Sequence, residues 1–125
     1  MEKINIYKDI KGIEYPAGRM GRVFIGVNSP LQAKDYVVGT SDIYVGGSVP
    51  EHDHETEETY IIVKGKAKVV VDGIETEASD GDVFLMKPWV KHAIYNIGDD
   101  VLRIIYVYAP AIVVDHWKKE LEGKM

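Results

Sequence analysis

Turn signals recur at an almost fixed interval through the second half of the chain, and no other feature limits the possible folds so sharply. They fall at Lys64-Gly65, Asp72-Gly73, Asp80-Gly81, Pro88-Trp89 and Gly98-Asp99. The runs between them, Tyr60 to Val63, Ala67 to Val71, Val83 to Met86, His92 to Ile97 and Val101 to Tyr108, are rich in the branched and aromatic residues that suit a pleated surface. A repeat of roughly 8 to 12 residues per strand and turn predicts an all-β sandwich or barrel. Asp72-Gly73 is the clearest hairpin, because a two-residue loop of the favoured type needs positive φ at both central positions. Arg22 to Val27 and Asp35 to Val45 read as further strands, separated by the Asn28-Ser29-Pro30 loop. Residues 1–21 read as a short strand followed by a long loop or covering arm. The C-terminus alone reads as helical: Asp115 is a candidate N-cap for His116 to Glu122, with Gly123 as the stop. A helix that short needs Trp117 and Leu121 to dock on the barrel.

The 125 residues leave room for one domain, and 46% apolar residues are too many for a disordered chain. With 15 Lys and Arg against 20 Asp and Glu the net charge is -5, so a phosphate backbone is repelled and nucleic acid is not an expected partner. The absence of cysteine excludes disulfides, thiolate metal sites and a cysteine nucleophile. Any metal must therefore take nitrogen and oxygen ligands. The N-terminal segment is charged and lacks the apolar run of a signal peptide. The longest apolar stretch, Ile104 to Val114, is too short for a bilayer and contains Pro110. A cytoplasmic protein with no membrane partner is the expectation.

Chemistry gathers at three histidines and a glutamate. In extended backbone His52 and His54 point the same way, about 7 Å apart by backbone rise. Glu58 is an even number of residues further on, and His92 lies on a strand two turn signals later. Three imidazoles and a carboxylate make a four-ligand site with open positions for water or substrate if the metal is octahedral. Taken alone, the Glu51 to Glu58 stretch also fits an ordinary solvated strand face.

Gly46, five residues, His52, one residue, His54, three residues, Glu58, six residues and Gly65 reproduce the first sequence motif of the cupin superfamily without a gap. The second motif is similar from Gly81 through Pro88 and His92 to Asn96. The sequence thus resembles a small single-domain microbial cupin, with the motifs covering residues 46–96 of a single domain. The resemblance implies a double-stranded β-helix, or jelly-roll, barrel. It also implies one divalent metal ion, iron, manganese, nickel or zinc, held by His52, His54, Glu58 and His92. Two positions depart from the pattern: Lys87 stands where proline is common, and Trp89 replaces a glycine. Since glycine permits a tight turn, the Trp89 substitution bears on the backbone path into His92 rather than on the ligand's identity.

Other residues carry two readings each. Tyr60 and Ile62 share the Glu58 face, as pocket lining or core. Asn96 either meets substrate or caps the turn into Gly98. Arg103, isolated among apolar residues, either holds a carboxylate substrate or pairs with an acid at the barrel rim. Arg19 and Arg22 either close over the mouth or lie on the surface. Trp89 is expected as a hydrophobic wall, and His116 has no ligand role.

The expected function is that of a mononuclear metal enzyme acting on a small oxygenated metabolite, of dioxygenase, isomerase or decarboxylase type. Glu58 is its candidate catalytic residue, as a ligand that becomes a base on detaching. The alternative is a non-catalytic module that binds a small molecule or sugar. The resemblance further implies a homodimer, and exposed strand edges agree with it.

Overall fold

Alternation of buried and half-buried or exposed residues runs through residues 57–64 and 102–109 and fixes how these two strands face the core. The structure, a computed structural model, describes residues 1–111 and 116–123. In chain order the elements are α1 (Ile6–Asp9), β1 (Ile13–Tyr15), β2 (Arg19–Gly26), β3 (Leu31–Gln32), β4 (Val37–Ile43), β5 (Ser48–His52) and β6 (Glu57–Lys64). They continue with β7 (Ala67–Val71), β8 (Ile74–Ala78), β9 (Val83–Met86), β10 (His92–Asn96), β11 (Leu102–Ala109) and α2 (His116–Leu121). Among the described residues the strands form a larger sheet in the order β1-β2-β4-β11-β6-β9, with β3 against β2, and a smaller one in the order β5-β10-β7-β8. Every pairing is antiparallel except the short contact of β3 with β2.

The core lies between the sheets. Ile43, Tyr60, Ile62, Leu102 and Ile104 of the large sheet are buried in one cluster with Val49, Ala67, Val69 and Ile94 of the small one. On β11 the buried residues are Leu102, Ile104, Tyr106 and Tyr108, while Arg103, Ile105 and Val107 are only half-buried. This is an all-β jelly-roll barrel closed by side chains from both inner faces. The Asp72-Gly73 hairpin forms as expected: both residues have positive φ, 52° and 77°, and Val71 pairs with Ile74.

The N-terminal arm differs from the expectation of a strand and loop, because α1 is a single helical turn. Asn5 caps it, accepting hydrogen bonds from the Tyr7 and Lys8 amides, while Asp9 accepts from the Asn5 amide. The arm lies over the large sheet's outer face, with the Tyr7 ring beneath the guanidinium groups of Arg22 and Arg103 at 5.1 and 4.5 Å. At the other end Gly123 takes φ 72° and stops α2 as expected. The N-cap position Asp115 and the stretch 112–114 lie outside the described residues. Trp117 packs on the core, but Leu121 is 47% exposed and the residue buried in its stead is Glu120. A buried arginine explains the exchange, as shown below. No helix among the described residues is long and apolar enough to cross a membrane.

Candidate metal centre

His52 ends β5, His92 begins β10, and the two are register partners across the small sheet. Glu58 comes from β6 of the facing sheet, and His54 from the loop joining β5 to β6. All four side chains are buried, and one ligand atom from each lies within 4.8 Å of the others. Glu58 Oε1 sits 2.9 Å from His92 Nε2, 3.3 Å from His54 Nε2 and 4.0 Å from His52 Nε2.

The outer ring nitrogens set this orientation. His52 Nδ1 is 2.8 Å from the Pro50 carbonyl, and His92 Nδ1 is 2.8 Å from that of Val90. A carbonyl only accepts, so these Nδ1 atoms donate, and a ring that carries no second proton presents a lone pair at Nε2. His54 Nδ1 is held by Thr56, at 2.7 Å from the hydroxyl and 3.2 Å from the carbonyl. Imidazole lone pairs aimed at one carboxylate oxygen form a cluster of acceptors that only a proton or a cation completes. The donor set therefore fits a divalent ion of borderline character, and its anchored imidazoles match the way metal-ligating histidines are held.

Electrostatics agree with this arrangement. Burial, followed by the neighbouring His92, lowers the His52 pKa to about 3, which keeps that ring neutral. At Glu58 burial pushes the pKa up, but the close approach of the His54 and His92 rings outweighs it and holds the carboxyl below its ordinary value. His54 is also opposed by burial, yet Glu58 raises its pKa.

The glycine-to-tryptophan departure leaves the path into His92 intact. Trp89 takes φ 65°, the left-handed conformation that a glycine adopts freely, in a turn closed by the Val90 amide on the Lys87 carbonyl. Its own amide donates to the His54 carbonyl at 2.8 Å, tying this turn to the histidine loop. The indole is 64% exposed and does not line the cavity.

That cavity lies beside the cluster and is lined by His52, Glu58 and Tyr60 together with Arg19, Tyr106 and Trp117. Tyr60 is thus brought to the site, its ring 5.7 Å from that of His92, while Ile62 stays in the core. Arg103 and Asn96 are not brought there. Arg103 points outward and donates to Asp42 at 2.7 Å; Asn96 bonds the carbonyls of Ile43 and Asp100 and accepts from the Gly98 amide, which holds that turn. Arg22 also pairs with Asp42.

Arg19 departs most from the surface reading. It is 1% exposed and forms a two-bond pair with Glu120, at 2.8 Å from Nη1 to Oε2 and 2.6 Å from Nη2 to Oε1. No sequence signal marked its burial, since β2 shows no regular alternation of buried and exposed residues. Tyr106, Tyr108 and Trp117 pack as an aromatic group with ring centroids 5.9–6.5 Å apart.

Comparison with known proteins places these features in a family. The model described as the cupin domain matches residues 39–108. An uncharacterised protein of Streptomyces coelicolor is 28% identical over 80 residues, 64% of this chain and 75% of the relative. The polyketide cyclase RemF of Streptomyces resistomycificus superposes with a TM-score of 0.74 at 19% identity, over 100% of this chain and 94% of its own. The oxalate decarboxylase of Lactobacillus farciminis, solved as a formate complex, gives 0.75 at 28% identity over 85% of this chain and 32% of the larger enzyme.

Proposed function

The chain belongs to the cupin family, and from that premise we propose a metal-dependent enzyme acting on a small oxygenated metabolite, with His52, His54, Glu58 and His92 holding one divalent first-row transition ion. The observation that carries this reading is the convergence of three anchored imidazoles and one carboxylate within 4.8 Å. When bound, such an ion polarises a substrate oxygen, acidifies bound water or, if redox-active, handles oxygen. The chain's own residues orient the ligands and exclude solvent. Glu58 is the catalytic candidate, because it is the one carboxylate in the cluster and its oxygen lies 3.3 and 2.9 Å from two imidazole nitrogens. Small oxo- and hydroxy-carboxylates are the first substrate class to try, given the decarboxylase and cyclase among similar folds.

The test is to incubate iron-, manganese-, nickel- and zinc-loaded protein with such acids and polyols, following each by NMR and oxygen uptake. Turnover lost in metal-free protein and in Glu58→Gln supports the enzyme. Ligand binding without chemical change under every metal supports the second reading, a non-catalytic binding module.

A homodimer is proposed on the apolar outer face at edge strand β9, where Val83 and Leu85 are 61% and 56% exposed beside half-exposed Val63. Light scattering at micromolar concentration is expected to return twice the 14.0 kDa chain mass, and a monomer mass contradicts it.

A further inference from the structure

The arginine in the cavity wall has no part in holding a metal, and its surroundings say what it binds. Arg19 is among the largest fully buried side chains. A guanidinium out of water needs an anion. Glu58, which lines the same cavity, is committed to the imidazoles. The anion that meets Arg19 is Glu120, which arrives from α2, 101 residues away. Its carboxylate lies on the guanidinium in the two-bond fork of a bound acid. Arg19 is held in place independently of Glu120: Nη1 also donates to the Ser48 carbonyl at 3.1 Å, and the Tyr15 ring lies 4.3 Å from the guanidinium carbon.

Two further observations concern α2. It is six residues long, too short to be stable by itself, and it turns Trp117 and Glu120 inward while leaving Leu121 exposed. Trp117 lines the cavity and Glu120 binds a residue that lines it. With both in place the cavity volume is ≈ 10 Å³, room for about one water. Nothing of substrate size shares the space with them.

We propose that Arg19 is the anchor for a substrate carboxylate and that Glu120 occupies this anchor as an internal stand-in. An incoming acid takes over both hydrogen bonds, so Arg19 never loses its counter-charge, and departure of Glu120 with Trp117 opens the space beside the four-residue cluster. A neutral analogue of the same shape lacks the charge to displace Glu120. Selectivity for acids follows from the exchange itself. This rests on the reading above in one respect, that the substrate binds next to the cluster.

The test uses the full chain carrying Trp89→Phe, which leaves Trp117 as the single tryptophan of the two. Zinc-loaded and metal-free samples are titrated with malonate and with malonamide, reading Trp117 emission, and zinc uptake is measured on the same samples. Malonate is expected to give a saturable shift and malonamide none. Glu120→Gln, by weakening the internal competitor, is expected to tighten malonate binding about tenfold or more, since apparent affinity scales with the fraction of binding-competent protein. Glu120→Asp, which keeps the charge and shortens the reach, gives a smaller change in the same direction. Arg19→Gln loses saturation while still taking up zinc. An equal response to malonamide, no saturable shift, unchanged affinity in the folded Glu120 variants, or malonate saturation surviving Arg19→Gln overturns the proposal. Saturation in protein that takes up no zinc overturns the metal reading and leaves the Arg19 assignment standing. Zinc uptake without saturation does the reverse.

Discussion

Thr56 is fully buried beside His54 and holds that ring by its hydroxyl and its carbonyl, so it acts on the centre without belonging to it. Thr56→Val keeps the shape and removes the hydroxyl. Zinc affinity by calorimetry is expected to fall about 10-fold to 100-fold, the usual effect of removing a partner that orients a ligand; unchanged affinity would show that the carbonyl suffices. Trp89 offers the opposite case, a large side chain in left-handed backbone with most of its surface in water. Trp89→Gly relieves roughly 1–2 kcal/mol of steric cost and gives back part of it as unfolded-state entropy. Urea unfolding is expected to show a gain of about 0.5–1 kcal/mol, and a loss would mean that the indole makes contacts worth more than the strain. The single extended segment expected through His52, His54 and Glu58 is broken by a loop at His54 and its two ends lie in facing sheets, yet the four ligands were legible in the sequence because their spacing matches the family motifs. Arg19 was not, since a lone arginine in an N-terminal stretch carries no mark of burial until its partner, 101 residues on, is brought beside it.

Strands bracketed by turn residues were read closely, and Ala67–Val71 and Val83–Met86 lie between the turn signals at Gly65, Asp72-Gly73, Gly81 and Pro88. The N-terminal strands were not: Pro16 to Gly18 form the turn that joins β1 to β2, so β2 begins at Arg19, inside the stretch expected to be an arm. One helical turn at Ile6–Asp9 is also too short to show a helical period; its only sequence mark is the Asn5 cap. Pairing of β4 with β11 adds a constraint invisible in either strand alone. Gly39 is opposite Tyr106, and the phenol tip lies where a Cβ on Gly39 would stand. Tyr106 is buried there and packs with Tyr108 and Trp117. Gly39→Ala therefore pushes on the aromatic group that closes the cavity, and about 1–3 kcal/mol of stability is expected to be lost by urea unfolding. A neutral result would show that the ring swings aside freely.

In the whole molecule the centre is a staple between two sheets. His52 and His92 belong to the small sheet and Glu58 to the large one, so an ion held by all of them joins the two faces of the barrel. Binding to the folded form alone raises stability with the logarithm of ion concentration over its dissociation constant. The barrel itself was readable from turn spacing, whereas the docking of α2 was only half readable. Amphipathic spacing pointed to Trp117 and Leu121, but the buried charge of Arg19 turned Glu120 inward. The central claim is that this staple is a metal site. The most direct measurement is the metal-to-chain ratio of anaerobically purified protein, by elemental analysis, for the wild type beside His52→Ala and His92→Ala. About one first-row transition ion per chain, lost in both variants with a fall in melting temperature on chelation of the wild type, is the predicted result. No metal in the wild type, and none taken up from added divalent ions, would contradict it.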